Sequence, residues 1–437
     1  MKTLSWNLGV EFLENGTMIF KYVFKKEGDW MEILLRVAIA MIIGALMIRV
    51  TSRFKLPDVT CYLLAGVLIG PTLLGHFKLG FPSYEDIEKY SLISSVSLGF
   101  IAFSIGNEFR LKVLRRTGRQ AFIIGVFQAV VATALVDLAL VGLHFVMPDK
   151  LSISSAITLG AIASATAPAA TLMVVKQYQA KGNLTSLLLP IVALDDAVGL
   201  IIFAVSFGIA KAMAVGQSSL ISILVNPLIE IVGSLILGAL AGIGLTRLVA
   251  VFDKRDPKVA ITIAFVFLMV GCSMAEFEFG ELEVGFSSLL VCMMMATVFC
   301  NVSAESFEVM EEVGGWTNPI LVLFFVISGA ELELEVFTQI SVIIIGIVYI
   351  LFRCAGKYLG SFGSALVSGC DQNVVKYLGI TLFPQAGVAL GMCVTARSLP
   401  EGNLIRNIVL FAVLVYELVG PLMTKWALTQ AGDIKEN

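Results

Sequence analysis

The chain has 437 residues, of which 58% are hydrophobic and only 14% charged, with a formal net charge of -3. A water-soluble fold of this length needs far more charge to cover its surface, and a mean hydropathy of +0.92 makes lipid the expected solvent. The slightly acidic balance leaves no footprint for nucleic acid, and neither a nucleic-acid partner nor a cofactor is expected.

The N-terminal segment 1–30 does not read as a cleaved leader. Glu11, Glu14 and Lys21 interrupt its apolar stretch, and no small-residue cleavage site follows. Apolar runs then succeed one another almost without pause. Taking about 20 residues per crossing gives about thirteen spans. They cover residues 31–50, 59–77, 87–106, 121–146, 153–175, 184–210, 220–249, 259–275, 284–302, 318–334, 340–366, 374–396 and 404–428. Runs of this length are helices, because lipid offers the backbone no partner and barrel strands are far shorter. The expected fold class is therefore an all-α membrane protein, with one membrane domain over 31–428, a polar tail over 429–437 and no appended soluble domain. The seven cysteines lie in or beside apolar runs without CxxC spacing, so they read as packing residues rather than disulfides or metal ligands.

Loop charge sets the expected orientation. Loops after odd-numbered spans carry Arg53 and Lys55, then Arg110, Lys112, Arg115, Arg116 and Arg119, then Lys176 and Lys181, then Lys254, Arg255 and Lys258, then Lys376. Loops after even-numbered spans carry fewer, among them Lys78, Lys89, Lys150, Lys211 and Arg397. The odd loops are expected in the cytoplasm, the N-terminus outside and the C-terminus inside. Lys21, Lys25 and Lys26 oppose this, offset by Glu27 and Asp29.

Charge inside hydrocarbon is costly and marks a pathway or a pair. Asp195 and Asp196, adjacent in span six, are the strongest such signal. Two neighbouring carboxylates do not both ionise cheaply in a low dielectric unless cations compensate, which points to a proton and cation site. Arg353 and Lys357 in span eleven are four apart and share a helix face, so either could neutralise an aspartate. Asp137 in span four reads as a hydrogen-bonded interhelical carboxyl, and Glu417 in span thirteen as a local cap or pair near the cytoplasmic end.

Two spans carry helix breakers. Pro168 in AIASATAPAATLMVV frees the carbonyl of Ser164, and Pro384 in GITLFPQAGVALGM frees that of Ile380. Small residues flank both prolines, and such interruptions survive in membranes where they line a cavity or bury against protein. The two breaks lie seven spans apart. An odd offset reverses the second segment, so spans two to six and nine to thirteen are candidate inverted repeats with half-helix ends meeting near the midplane. Freed carbonyls and hydroxyls such as that of Thr166 suit a hard cation.

At this point the chain resembles the monovalent cation:proton antiporter superfamily, in its second branch of bacterial sodium/proton antiporters. The resemblance rests on LLAGVLIGP, SLGFIAFSIGNEFRL, SATAPAATLMVV, LDDAVG, FFVISGAELEL, GKYLGS, FPQAGVALGM and YELVGPLMTKWAL, in that order. It implies a thirteen-span fold with inverted repeats and two crossing broken helices, here those of Pro168 and of Pro384 and Gln385. It implies a homodimer whose core domain (about 121–210 and 340–428) moves as an elevator against a dimerisation scaffold (about 31–106 and 259–334). It implies that Asp196 binds the transported cation or a proton, and that Asp195 pairs with Lys357. The electroneutral branch commonly has Asn-Asp in span six and Thr-Asp-Pro in span five. Asp195-Asp196 and Thr166-Ala167-Pro168 depart from both, which favours an electrogenic exchanger.

The expected function is exchange of protons for sodium, with lithium or potassium as other candidate cargoes, across an inner cell membrane. A potassium efflux channel or transporter of the same fold is the alternative. An intramembrane aspartyl protease is a remote one, because adjacent residues on a helix diverge by about 100° and a protease dyad must face one water. An enzyme is not expected.

Overall fold

In the computed structural model the described residues are 18–51, 58–77, 80–214, 220–275, 277–279 and 282–434. Glu11, Glu14, Arg53, Lys55 and Lys78 lie outside them, as do the side chains of Lys21, Lys25, Lys26, Glu27, Asp29, Lys112, Arg115, Arg116, Pro168 and Lys176.

Each expected apolar stretch is mainly helical. In chain order the helices are α1 (Met18–Thr51), α2 (Asp58–Ile69), the short α3 (Tyr84–Glu88), α4 (Ser91–Glu108), α5 (Leu111–Val146), α6 (Ile153–Ile162), α7 (Pro168–Gln177) and α8 (Asn183–Ala214). They continue with α9 (Leu220–Val249), α10 (Arg255–Ser273), α11 (Ser288–Val302), α12 (Ser306–Ala330), α13 (Ile340–Val367), α14 (Gln372–Tyr377), α15 (Gly387–Ala396) and α16 (Gly402–Gln430). Among the described residues, 8 helices are long and apolar enough to cross a membrane, or 9 when the bent pair Gln372–Leu382 and Gly387–Ala396 is taken as one span. α2, α4, α6 and α11 are apolar but shorter. One feature was not expected. A two-stranded antiparallel hairpin, β1 (Phe277–Phe279) and β2 (Leu282–Val284), joins α10 to α11, with Phe277 opposite Val284.

α5 consists of two helical pieces. Gly118 breaks them at φ 80°, ψ 153°, a backbone region that glycine enters without steric cost. The short piece from Leu111 to the break is thereby set at an angle to the apolar run that starts at Arg119.

At several glycines helix pairs approach closely. Gly356 and Gly360 stand one turn apart on α13. A Cβ on them would come within 2.5 Å of the Ala132 Cα and 2.7 Å of the Gln128 Cα on α5. Gly66 and Gly329 do the same for α2 and α12, where a Cβ would reach 2.0 Å from the Val326 carbonyl and 2.2 Å from that of Leu63. Lipid tails are as apolar as leucine, so such close packing, rather than a hydrophobic drive, holds membrane helices together. α5, α6, α8, α13 and α16 pack on one another, as do α4, α9, α10, α11 and α12, with α1 and α2 against α12. Large apolar side chains such as Leu138, Ile236, Leu240 and Leu351 are exposed on the outer faces, where lipid covers them.

Candidate ion-binding site at a helix crossing

α8 carries Asp195 and Asp196 near its middle, with 0% and 4% of their surface exposed. The two side chains leave the helix in different directions, so each meets different neighbours. Asp195 is held on both oxygens. Lys357 Nζ donates to Oδ2 at 2.8 Å, and Gln128 Nε2 donates to Oδ1. Gln128 comes from α5 and Lys357 from α13, whose glycines bring the two helices together at this depth.

Lys357 Nζ also donates to the Ser164 carbonyl. This is the carbonyl that Pro168, lacking an N–H, leaves without its helical donor. One ammonium thus serves a carboxylate and a broken helix end. Gly199 lies three residues beyond Asp196 and so on the same side of α8. A Cβ there would come within 3.0 Å of Ser164 Oγ and 3.5 Å of the Ala165 Cα. Gly199 is also four residues beyond Asp195, so the face of α8 that the two aspartates flank lies along the break between α6 and α7.

The two broken segments meet there. α6 ends at Ile162 and α7 starts at Pro168; the 3-10 turn Leu378–Leu382 ends just before α15 starts at Gly387. Ala167 N–H donates to the Pro384 carbonyl at 2.8 Å. Thr166 Oγ1 donates to the Leu382 carbonyl at 3.3 Å, and Thr171 Oγ1 to that of Thr381 at 3.1 Å. Gln385 Nε2 donates to the Ile162 carbonyl at 2.9 Å, and its amide oxygen accepts from the Tyr349 hydroxyl at 3.2 Å. The Thr166 hydroxyl proton is committed to Leu382, which leaves its oxygen lone pairs as acceptors.

Arg353 sits at the centre of the crossing, 0% exposed. Its Nε donates to the Ala163 carbonyl at 3.0 Å, Nη1 to that of Phe383 at 2.7 Å, and Nη2 to that of Ala165 at 2.6 Å. The guanidinium also lies 4.5 Å from the centre of the Tyr416 ring. The last carbonyls of two half-helices point negative dipole ends into a low dielectric. A planar group with five donors and a fixed charge satisfies both ends at once.

Among the sequence candidates, the structure brings together Asp195, Lys357 and the Ser164 carbonyl, and separately Arg353 with the crossing of Thr166, Pro384 and Gln385. The ion pair to Asp195 is made by Lys357; Arg353 bonds carbonyls, so the choice left open between the two cations is resolved. Pro168 opens α7. Asp137 does not make the expected interhelical hydrogen bond. It fills the space of the missing Gly160 Cβ, and its Oδ1 is buried without a hydrogen-bond partner. Glu417 is not a local cap. It lies midway along α16, 1% exposed, and accepts from Thr60 Oγ1 of α2 at 3.1 Å. Gln128, Tyr349 and Thr60 were not singled out in the sequence. Each is an uncharged polar residue in or beside an apolar run, and only that polarity signals them. Among the described residues no group of three or more His, Cys, Asp or Glu is placed to hold a metal ion.

A buried carboxylate pair beside a buried lysine, at the crossing of two broken helices, is the kind of arrangement that membrane transporters carry. The family described as "Sodium/hydrogen exchanger, transmembrane" matches residues 37–430, and the chain belongs to it. The chain is 23% identical over 375 residues to the high-affinity Na(+)/H(+) antiporter NhaS3 of Synechocystis sp., covering 78% of each chain. It is 25% identical over 291 residues to the ammonium/H(+) antiporter subunit AmhT of Alkalihalophilus pseudofirmus, covering 65% of this chain and 66% of that one. Its fold is similar to that of the sodium proton antiporter MjNhaP1 from Methanocaldococcus jannaschii, with TM-score 0.71 at 17% identity over 93% of this chain and 99% of the other. The protein is accordingly a multi-pass membrane transporter that exchanges a monovalent cation for protons, and not an enzyme. The protease reading falls with this, and Asp195 is in any case occupied by Lys357 and Gln128.

Proposed function

We propose that this chain exchanges sodium for protons at one alternating site centred on Asp196, with Lys357 as a second proton carrier that makes the exchange electrogenic. The observation that carries the reading is the ion pair between Lys357 and Asp195, one residue from Asp196 and wholly buried. A cation arriving at Asp196 places a second positive charge beside Lys357. Two positive charges near so few carboxylates are unfavourable, so the ammonium gives up its proton as the cation binds. Asp196 loses one as well. Two protons then leave for each cation, and net charge moves in every turnover. The Thr166 oxygen supplies a neutral ligand from the crossing. Sodium is favoured by the names of the relatives, although one of them is an ammonium antiporter; potassium efflux by the same fold is the second reading.

The same proposal takes thirteen crossings, N-terminus outside and C-terminus in the cytoplasm of an inner-membrane homodimer. The core, about 121–210 and 340–428, travels against a dimerising scaffold, about 31–106 and 259–334. Cation-evoked dequenching of a pH dye in everted vesicles, run separately with sodium, lithium, potassium and ammonium, tests it. Sodium is expected to give the largest response at the lowest concentration. A response to potassium alone would transfer the proposal to potassium, and single-channel conductance without proton movement would end it.

A further inference from the structure

Glu417 differs from two other buried acids among the described residues. Asp195 is compensated by Lys357, and Glu331 is compensated by Arg397 and Arg406. Glu417 lies midway along a membrane helix at 1% exposure. The Thr60 hydroxyl donates to its Oε2 at 3.1 Å, while its Oε1 is buried without a hydrogen-bond partner. On the elements packed against α16, α2 brings Asp58, Cys61 and Tyr62, and α13 brings Arg353, Cys354 and Lys357. Arg353 and Lys357 are engaged at the crossing, and the Cys354 thiol reaches Tyr416. Lys376 and Tyr377 of α14 belong to the other end of α16, where Tyr377 packs on Trp426, and the Cys393 thiol of α15 lines the Glu331 cluster.

The backbone at this point is also short of donors. Pro421 lies four residues on and has no N–H to return to the Glu417 carbonyl. Gly420 abuts the crossing itself, where a Cβ would come within 2.8 Å of Pro384 Cγ. Thr424, two turns along the same face, has a buried hydroxyl without a partner. An ionised carboxylate accepts at about four lone-pair sites. Here one hydroxyl bonds one of the two oxygens, and no described cation bonds the other. Charge in that setting is neutralised by taking up a proton.

We infer that Glu417 is a proton-binding site separate from the aspartate pair, holding its proton while α16 is docked on α2 at Thr60 and exchanging it when the two helices part. The first half stands on geometry alone. The second half rests on the proposed movement of the core, which contains α16, against the scaffold, which contains α2.

Infrared difference spectroscopy of the full chain in lipid tests the first half without any transport. At neutral pH, wild type minus Glu417→Gln is expected to show the carbonyl stretch of a protonated carboxylic acid. Thr60→Val, which keeps the glutamate and the fold, is expected to shift that band, because it loses the hydroxyl that bonds the acid. Superimposable spectra of wild type and Glu417→Gln in this region would overturn the inference, as would a band indifferent to Thr60→Val. For the second half, the pH profile of cation-evoked exchange is expected to move by at least tenfold in proton concentration in Glu417→Gln. An unmoved profile would reduce Glu417 to a structural acid. Absence of exchange in wild type would instead strike the proposed function and leave the infrared result standing.

Discussion

Replacing Lys357 by Met removes the partner of Asp195 and leaves that carboxylate with Gln128 alone. The pair is 2.8 Å long with both side chains 0% exposed, so water does not replace the lost ammonium. Breaking a buried pair from one side costs about 3–5 kcal/mol, mostly as the uncompensated charge left behind. Asp195→Asn does the same from the other side, stranding the ammonium against the Ser164 carbonyl. Removing both charges in Asp195→Asn/Lys357→Met is expected to cost less than either single change, because no charge remains buried. A coupling of at least about 2 kcal/mol is expected, roughly thirtyfold in an equilibrium. The assay is the half-life of monodisperse protein on heating in detergent for wild type, both singles and the double, since membrane proteins of this size unfold irreversibly. Additive effects, with the double variant as unstable as the two singles combined, would mean that the two charges do not stabilise each other.

Other outcomes follow from the same geometry. Lys357→Gln keeps a hydrogen-bonding group but no titrating amine, so exchange on a solid-supported membrane is expected to lose its sodium-evoked current while vesicle exchange persists; full current would remove Lys357 as a proton carrier. Arg353→Lys keeps the charge but not the fork that serves the carbonyls of Ala163, Ala165 and Phe383. With about 1–3 kcal/mol for each buried acceptor left unmade, the variant is expected to melt earlier and transport poorly, and a wild-type melting curve would contradict the capping role. Cysteine at Arg119, an exposed position, is expected to resist impermeant maleimide from outside when the exposed Cys272 is first replaced by Ser; labelling from outside would reverse the proposed orientation. Arg119 serves better than Gly118, whose φ of 80° strains any side chain.

The membrane helices and the site were legible because they break the local composition. Asp195 and Asp196 interrupt an apolar run, and Pro168 and Pro384 interrupt helices, so both announced themselves without a structure. The partner of Asp195 was implied by the resemblance, as Lys357, but not by the residues themselves. Arg353 and Lys357 share a helix face one turn apart, about 6 Å in depth, and only the packing of α13 on α5 decides which amine reaches the carboxylate. Gln128 was invisible for a different reason. A lone amide in an apolar helix has no charge to mark it, and its role depends on Gly360 letting α13 come close to its backbone. Glu417 was seen but misplaced. Its partner Thr60 is 357 residues away, a distance across which sequence periodicity carries no information. The hairpin at 277–284 was missed because its three-residue strands are shorter than any alternation that could reveal them.

The most direct test of the account is sodium-evoked proton flux in proteoliposomes holding wild type or Asp196→Asn, purified side by side and matched for monodispersity. Asparagine keeps the size of the side chain but neither its charge nor its titration, while Asp195, Lys357 and Gln128 remain in place. Robust flux is expected in wild type and none in the variant. Persistent sodium-evoked flux through Asp196→Asn would contradict it.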